Sequence, residues 1–379
     1  MSFQLVSFLV PWFALMWLSN NEDIKSVADF SLLLALITPI ALLLACPSRN
    51  YLLSQDRVFL NPVLKLRLIL SILGLLVTIA YGMIAEVLLL SVALFVCKNF
   101  EYYYDLPITA FLKQKNDKKL FLASIRKVLL VLIALLVTML TDSLETGLIV
   151  LGVMFFLDAI RATEQVRPTG EVASIFSTSF SVALSALLFS IYFFVPRYIL
   201  GLQGLENELA IFTVSSFLLM LVLVVLNTAC QTMMSSWREA LKSSKAVMKI
   251  YAGSLLFIVA LYVVLQLFHL APFRDFYWGI HDNIHENDPS LITTYHLVLV
   301  LSFGSLLFSY SNYLLILIQE GRFLLLLTFI NTVFCGAFGW LFSDYLGMAG
   351  LLGMVAISGI VHFIVSSFRL WKYIHRASV

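Results

Sequence analysis

Residues 193–212, FFVPRYILGLQGLENELAIF, place Arg197, Glu206 and Glu208 around one proline and two glycines, between two long apolar runs. So short a polar interruption suits a chain that turns back at a membrane surface. Composition says the same of the whole protein. Of 379 residues, 61% are hydrophobic and only 12% are charged, against roughly 25% charged in soluble domains. Mean hydropathy is +0.97. Only a bilayer tolerates that much apolar surface, so the chain reads as a polytopic membrane protein. The start, MSFQLVSFLVPWFALMWLSNNED, has no basic leader and no small-residue cleavage site, so it is expected to be a first span and not a cleaved signal.

A helix needs about 20 apolar residues to cross the hydrocarbon core. Such runs fall at 3–18, 29–46, 65–83, 87–103, 119–141, 144–162, 173–195, 209–233, 247–270, 292–318, 323–343 and 347–371. With the N-terminus cytoplasmic, the loops and helix ends on that side hold 21 of the 24 Lys and Arg residues; Lys25, Arg197 and Arg274 lie opposite. The positive-inside bias sets orientation, so both termini are expected in the cytoplasm. Residues 193–212 then face outward between spans seven and eight, with Pro196 expected to end one helix and the glycines to start the next. No soluble domain is expected, since the longest outward connection, 271–291, is only a loop.

The polar loop RATEQVRPTGEV (161–172) divides the spans into halves of six, at 1–165 and 166–379. Spans two and eight each begin with an acid, reach Ala-Cys near the inner end and run into a basic loop. That is the pattern of a parallel duplication, the plan of transporters that rock two bundles about a central site.

Four stretches carry a family resemblance. DFSLLLALITPIALLLACPSRNYLLSQD (29–56) has an apolar helix with a mid-helix proline, then an arginine and an acid. KNFEYYYDLPITAFLKQKNDKK (98–119) has a lysine, two acids and a basic loop. YFFVPRYILGLQGLENELAIF (192–212) and FINTVFCGAFGWLFSDYLGMAGLLGMVAISGIV (329–361) supply a Pro-Arg-Tyr turn and an Asn-containing helix with a Gly-rich lead into the next. Together they resemble the Wzx-type flippases of the multidrug/oligosaccharidyl-lipid/polysaccharide (MOP) exporter superfamily, although span one departs from the family's longer, basic lead. The resemblance implies an all-α protein of about twelve transmembrane helices, in two six-helix lobes around a cationic central cavity. It implies a transporter of the bacterial inner membrane, not an enzyme. The cargo would be an undecaprenyl-pyrophosphate oligosaccharide, moved from the cytoplasmic to the periplasmic leaflet for surface polysaccharides such as O-antigen or capsule. Membrane lipids and other polysaccharide-assembly proteins would be its partners, and no nucleic acid. No cofactor is implied, and coupling to an H⁺ or Na⁺ gradient stays open.

A diphosphate crossing hydrocarbon needs a positive path, and Arg suits phosphate because its planar fork donates paired hydrogen bonds. Arg49, Arg57, Lys98 and Arg161 are the candidates near the cytoplasmic face, with Asp158 spaced three residues from Arg161 to pair with it on one helix face. The alternative is that these cations simply obey the positive-inside bias. Arg197 is the candidate outer gate, pairing with Glu206, Glu208 or an acid of the other half; otherwise it anchors at the interface. The basic run Lys113, Lys115, Lys118, Lys119, Arg126 and Lys127 reads as topological, and Tyr102, Tyr103 and Tyr104 as an interfacial belt. GIHDNIHENDPS (279–290) sets His281 and His285 four apart beside Asp282 and Glu286, but its turn-forming residues mark a solvated loop and not a metal site. The cysteines, Cys46, Cys97, Cys230 and Cys335, lie in or at the end of apolar runs and read as buried thiols.

Two other functions compete. A small-molecule or drug antiporter of the same superfamily would favour buried acids, whereas Arg49, Arg57, Lys98, Lys127 and Arg161 outnumber Asp56 and Asp158 near the membrane in the first half. A membrane-embedded polymerase or transferase would need a carboxylate or His cluster, which only 281–286 offers. The topology has a direct test. A cysteine replacing Asp282 should react with a membrane-impermeant thiol reagent in intact cells, while one replacing Asp117 should not; labelling at Asp117 would overturn the twelve-span order.

Overall fold

The structure, a computed structural model, describes residues 2–45, 60–114, 116–163, 172–240, 244–278, 290–318 and 320–377. They are all helical apart from short turns. The helices are α1 (Ser2–Asn21), α2 (Ile24–Leu44), α3 (Leu60–Ile84), α4 (Leu88–Lys113), α5 (Asp117–Thr141), α6 (Leu144–Thr163), α7 (Val172–Leu202), α8 (Glu206–Ala240), α9 (Ser244–Gln266), α10 (Ala271–Trp278), α11 (Ser290–Leu317) and α12 (Gly321–Ala377). Among the described residues, eight helices are long and apolar enough to cross a membrane. The 57-residue α12 counts once among them, although Gly347 (φ 59°, ψ −144°) breaks it into two arms that correspond to the last two spans read from the sequence. That backbone conformation is open to glycine without strain. The split of α12, together with α1, α4 and α6, which fall short of that measure, accounts for the difference between eight and twelve.

Turns are short and chemically specified. Asp23 caps α2 by accepting from the Ser26 amide at 2.8 Å, and Asn116 caps α5 through the Lys119 amide at 3.1 Å. Gly204 takes φ 70° between α7 and α8. Glu206 and Glu208 then fall in the first turn of α8, where carboxylates complement the helix dipole.

Three expectations are corrected. Pro196 does not end a helix but lies inside α7, which continues to Leu202; membrane helices accommodate proline where neighbouring groups satisfy the freed carbonyl. The fourth span does not stop at 103, because α4 runs on through Tyr102–Tyr104 and Pro107 to Lys113. Tyr103 and Tyr104 are accordingly buried in the protein and form no interfacial belt. The outward connection at 271–291 contains a helix, α10, with Trp278 buried. Arg49, Arg57, Cys46, the His281–Glu286 cluster and most of the 161–172 loop lie outside the described residues. Cys97, Cys230 and Cys335 are free and buried, as read.

Within the first half, α4 packs closely on α6 and α3, α5 on α6, and α2 on α4. Within the second, α11 packs on α12 and α8, and α12 on α7. The halves meet where α2 packs against α7 and α8, and α1 against α8. Burial follows: 78% of the apolar core of α8 is inside the protein against 11% of that of α9. The exposed apolar faces of α3, α5, α9 and α12 are the surfaces that hydrocarbon would cover.

Because lipid tails are as apolar as leucine, helices in membranes associate through close packing at small residues. Gly304 on α11 and Gly359 on α12 do this. A Cβ at Gly304 would sit 2.3 Å from the Ala356 carbonyl oxygen, and one at Gly359 would sit 2.2 Å from that of Gly304. Gly304→Leu should therefore lower stability by about 1–3 kcal/mol, read as a reduced thermal midpoint in detergent. Gly253→Leu, where nothing lies within 4 Å, should leave it unchanged.

Candidate functional site

Charge at membrane depth is costly and marks either function or an internal partner. In the first half the partner is Glu101. Its Oε2 accepts from Lys98 Nζ at 3.1 Å and its Oε1 from Lys127 Nζ at 2.9 Å. Lys127 is completely buried and sits 5.4 Å from the Phe155 ring centroid, so the cluster joins α4, α5 and α6. Arg67 on α3 is also buried and donates to the Tyr102 carbonyl (2.5 Å) and the Ala45 carbonyl (2.7 Å). One turn away, Ser71, Asn99 and Tyr103 bond to one another at 2.8–3.0 Å. Three buried cations thus share this region with one buried carboxylate. Asp105, half-buried, is the only other acid on α4.

Lys98 is therefore held in an ion cluster rather than standing at an open mouth. Sequence reasoning missed Glu101 and Arg67 and assigned Lys127 to topology. Two signals pointed to them: Lys98 and Glu101 at three-residue spacing on one helix, and Arg67 inside an apolar run.

Asp158 does not pair with Arg161. Its Oδ1 accepts from Arg126 Nη1 on α5 at 3.1 Å, because the antiparallel α5–α6 pair brings Arg126 alongside. Arg161 stays exposed, with no ion pair among the described residues. Arg126, Asp158 and Arg161 together line an open groove of about 550 Å³ between α5 and α6.

Arg197 pairs with neither Glu206 nor Glu208. Since α7 continues past Pro196, Arg197 lies five residues inside its end, about 7 Å along the axis, and is 1% exposed. Its Nη2 donates to Ser216 Oγ at 3.3 Å and its guanidinium lies 4.9 Å from the Phe194 ring centroid. Nε and Nη1 have no hydrogen-bond partner among the described residues. A cavity of about 30 Å³, lined by Pro196, Ser216, Ser302 and Ser305 among others, adjoins Ser216; that is room for a water or two.

Beside Arg197 runs the seam between the halves. Ser31 on α2 and Thr213 on α8 share a 2.5 Å hydrogen bond. The Tyr198 hydroxyl on α7 donates to the Ala35 carbonyl, and Gly201 gives room to Leu32. These contacts use the first half of α2, the end of α7 and the start of α8, all at the membrane face opposite the basic loops.

No protein-family model matches the chain, and no curated protein matches it. Solved structures do, across nearly its whole length. The MATE multidrug transporter DinF-BH, in complex with rhodamine 6G, superposes with TM-score 0.76 at 13% identity, covering 98% of this chain and 93% of that one. A multidrug-resistance MATE family transporter of the MOP superfamily matches in its inward-facing conformation with TM-score 0.72 at 15% identity, covering 98% and 96%. An outward-facing one gives 0.67 at 16%, covering 100% and 95%. The chain thus has the fold of MATE transporters of the MOP superfamily, a multi-pass membrane transporter fold and not that of an enzyme.

The ion cluster makes a measurable claim. Glu101→Gln leaves two buried ammonium groups without their carboxylate and should cost about 3–5 kcal/mol, seen as loss of the folded, monodisperse fraction in detergent. Lys127→Met, which keeps the Lys98–Glu101 pair, should cost clearly less.

Proposed function

We propose that the chain is an alternating-access exporter of amphipathic small molecules, with lobes at 1–165 and 166–379 that rock about the α1/α2–α7/α8 seam. The observation that carries this is the full-length likeness to MATE multidrug transporters, one of them in complex with rhodamine 6G. It favours the small-molecule reading over the lipid-linked one. In this reading the structure is the inward-open state. The seam is closed at the face opposite the basic loops, and the inward-facing neighbour superposes better than the outward-facing one. Both termini are cytoplasmic and the membrane is a bacterial inner membrane. Coupling to an H⁺ or Na⁺ gradient belongs to the same proposal.

One observation favours the second reading, a flippase for undecaprenyl-pyrophosphate oligosaccharides. The buried charge of α3–α5 is net positive, as an anionic cargo would want, and a cationic drug would not. The two readings differ in what accumulates. Expression in an efflux-deficient bacterium should lower cell-associated rhodamine 6G. If the dye is unaffected and loss of the protein from its host causes a lipid-linked oligosaccharide to build up, the flippase reading replaces the first.

Alternating access itself is tested at the seam. Ser31→Cys with Thr213→Cys places two thiols within disulfide reach. Oxidation should stop transport of whichever cargo is used, and reductant should restore it. Full transport in the cross-linked protein would exclude opening at this seam.

A further inference from the structure

The open groove between α5 and α6 mixes charge with hydrocarbon along its lining. Its residues fall at helical spacing on both walls: Arg126, Leu130 and Ile133 on α5, and Met154, Leu157, Asp158 and Arg161 on α6. Because α6 ends at the face where α5 begins, the three charges gather at that end. The apolar residues continue inward for about seven positions, roughly 10 Å. A charged head above a greasy slot is the outline of a lipid.

The sign and setting narrow the class. Two guanidiniums against one carboxylate leave a net positive charge. Arg126 spends one nitrogen on Asp158 and its side chain remains 62% exposed, while Arg161 has no ion pair among the described residues. Guanidinium forks match phosphate oxygens. Flanking the groove, Leu129, Leu132, Leu136 and Val153 are 44–56% exposed, so this wall faces the bilayer and its occupant arrives sideways from the membrane. The seam between the halves is built by other helices, α1, α2, α7 and α8.

We propose that the groove is a binding site for an anionic phospholipid, whose phosphodiester engages Arg126 and Arg161 and whose chain lies along Leu130, Ile133, Met154 and Leu157. The site does not depend on what the transporter carries. Asp158 tunes it: by holding Arg126 it orients the guanidinium, and by its charge it limits affinity. A zwitterionic lipid gains little there, because its own cation meets the arginines.

The test uses the full-length protein in detergent with added phosphatidylglycerol or phosphatidylcholine, and native mass spectrometry to count bound lipid. Phosphatidylglycerol should bind in preference. Arg161→Gln should weaken it about fivefold, the worth of one cation near an anionic headgroup, and Asp158→Asn should strengthen it. Lys118→Gln with Lys119→Gln removes two exposed charges near the start of α5, away from the groove, and should change little. Equal binding of the two lipids, or equal loss in the lysine control, overturns the site in favour of general interfacial attraction. Displacement of phosphatidylglycerol by equimolar undecaprenyl phosphate would also overturn it, as the groove would then select a polyprenyl lipid.

Discussion

A charge buried away from water must find its counter-charge inside the protein, and Glu101 is where the first half does so. One carboxylate receives Lys98 from its own helix and Lys127 from α5. Arg67 ties α3 to the carbonyls of α4 and of the end of α2. These groups fix rotation as well as contact: turning α5 by one residue would carry Lys127 away from Glu101 and strand it against hydrocarbon. Apolar packing alone could not impose that register, since one lipid-like face resembles another. The second half solves the same problem differently. Its helices approach through Gly304 and Gly359 and are pinned by neutral groups, Ser309 to Asn227 (2.6 Å), Ser311 to His362 (2.7 Å) and Tyr192 to the Val355 carbonyl (2.6 Å).

This difference explains what could be read from sequence. The all-helical membrane class, and most span positions, follow from apolar run length, which is a one-dimensional property. The break in α12 was legible because Gly347 follows the polar pair Ser343 and Asp344. What failed was every inference that treated a polar residue as an end. Pro196, Glu101 and the three tyrosines look like exits from a membrane. In the fold they are internal, and the buried polar groups are satisfied by residues 26 to 163 positions away, while packed helices tolerate the proline. Lys98 and Asp158 stand out in the sequence as charges at depth. The contacts that hold them stayed hidden because Lys127 and Arg126 come from a neighbouring helix, and sequence spacing reveals only partners on the same one.

The satisfied groups also indicate which residues are poorly placed to hold cargo. A cation that already shares a buried carboxylate gains little by touching substrate and loses its partner if the site opens. By that criterion Lys98 and Lys127 are scaffold, and their net positive charge acts on cargo through its field and not by contact. The charges with donors to spare are elsewhere: Arg161, open on the bilayer-facing wall, and Arg197, whose Nε and Nη1 have no hydrogen-bond partner among the described residues. Arg197 lies beside the seam that alternating access would have to open. A buried guanidinium holding a single 3.3 Å bond to Ser216 is stable only while its surroundings stay closed or a polar group or water completes it. Opening the seam would hydrate it, which favours the open state, while Ser31–Thr213 and Tyr198–Ala35 favour the closed one. Two small opposing terms on one hinge line are what a transporter needs, because a cycle driven by a gradient requires states that differ by little. Arg197 thus serves the proposed cycle by its incomplete solvation, and not by the carboxylate partner that its neighbours in sequence suggested.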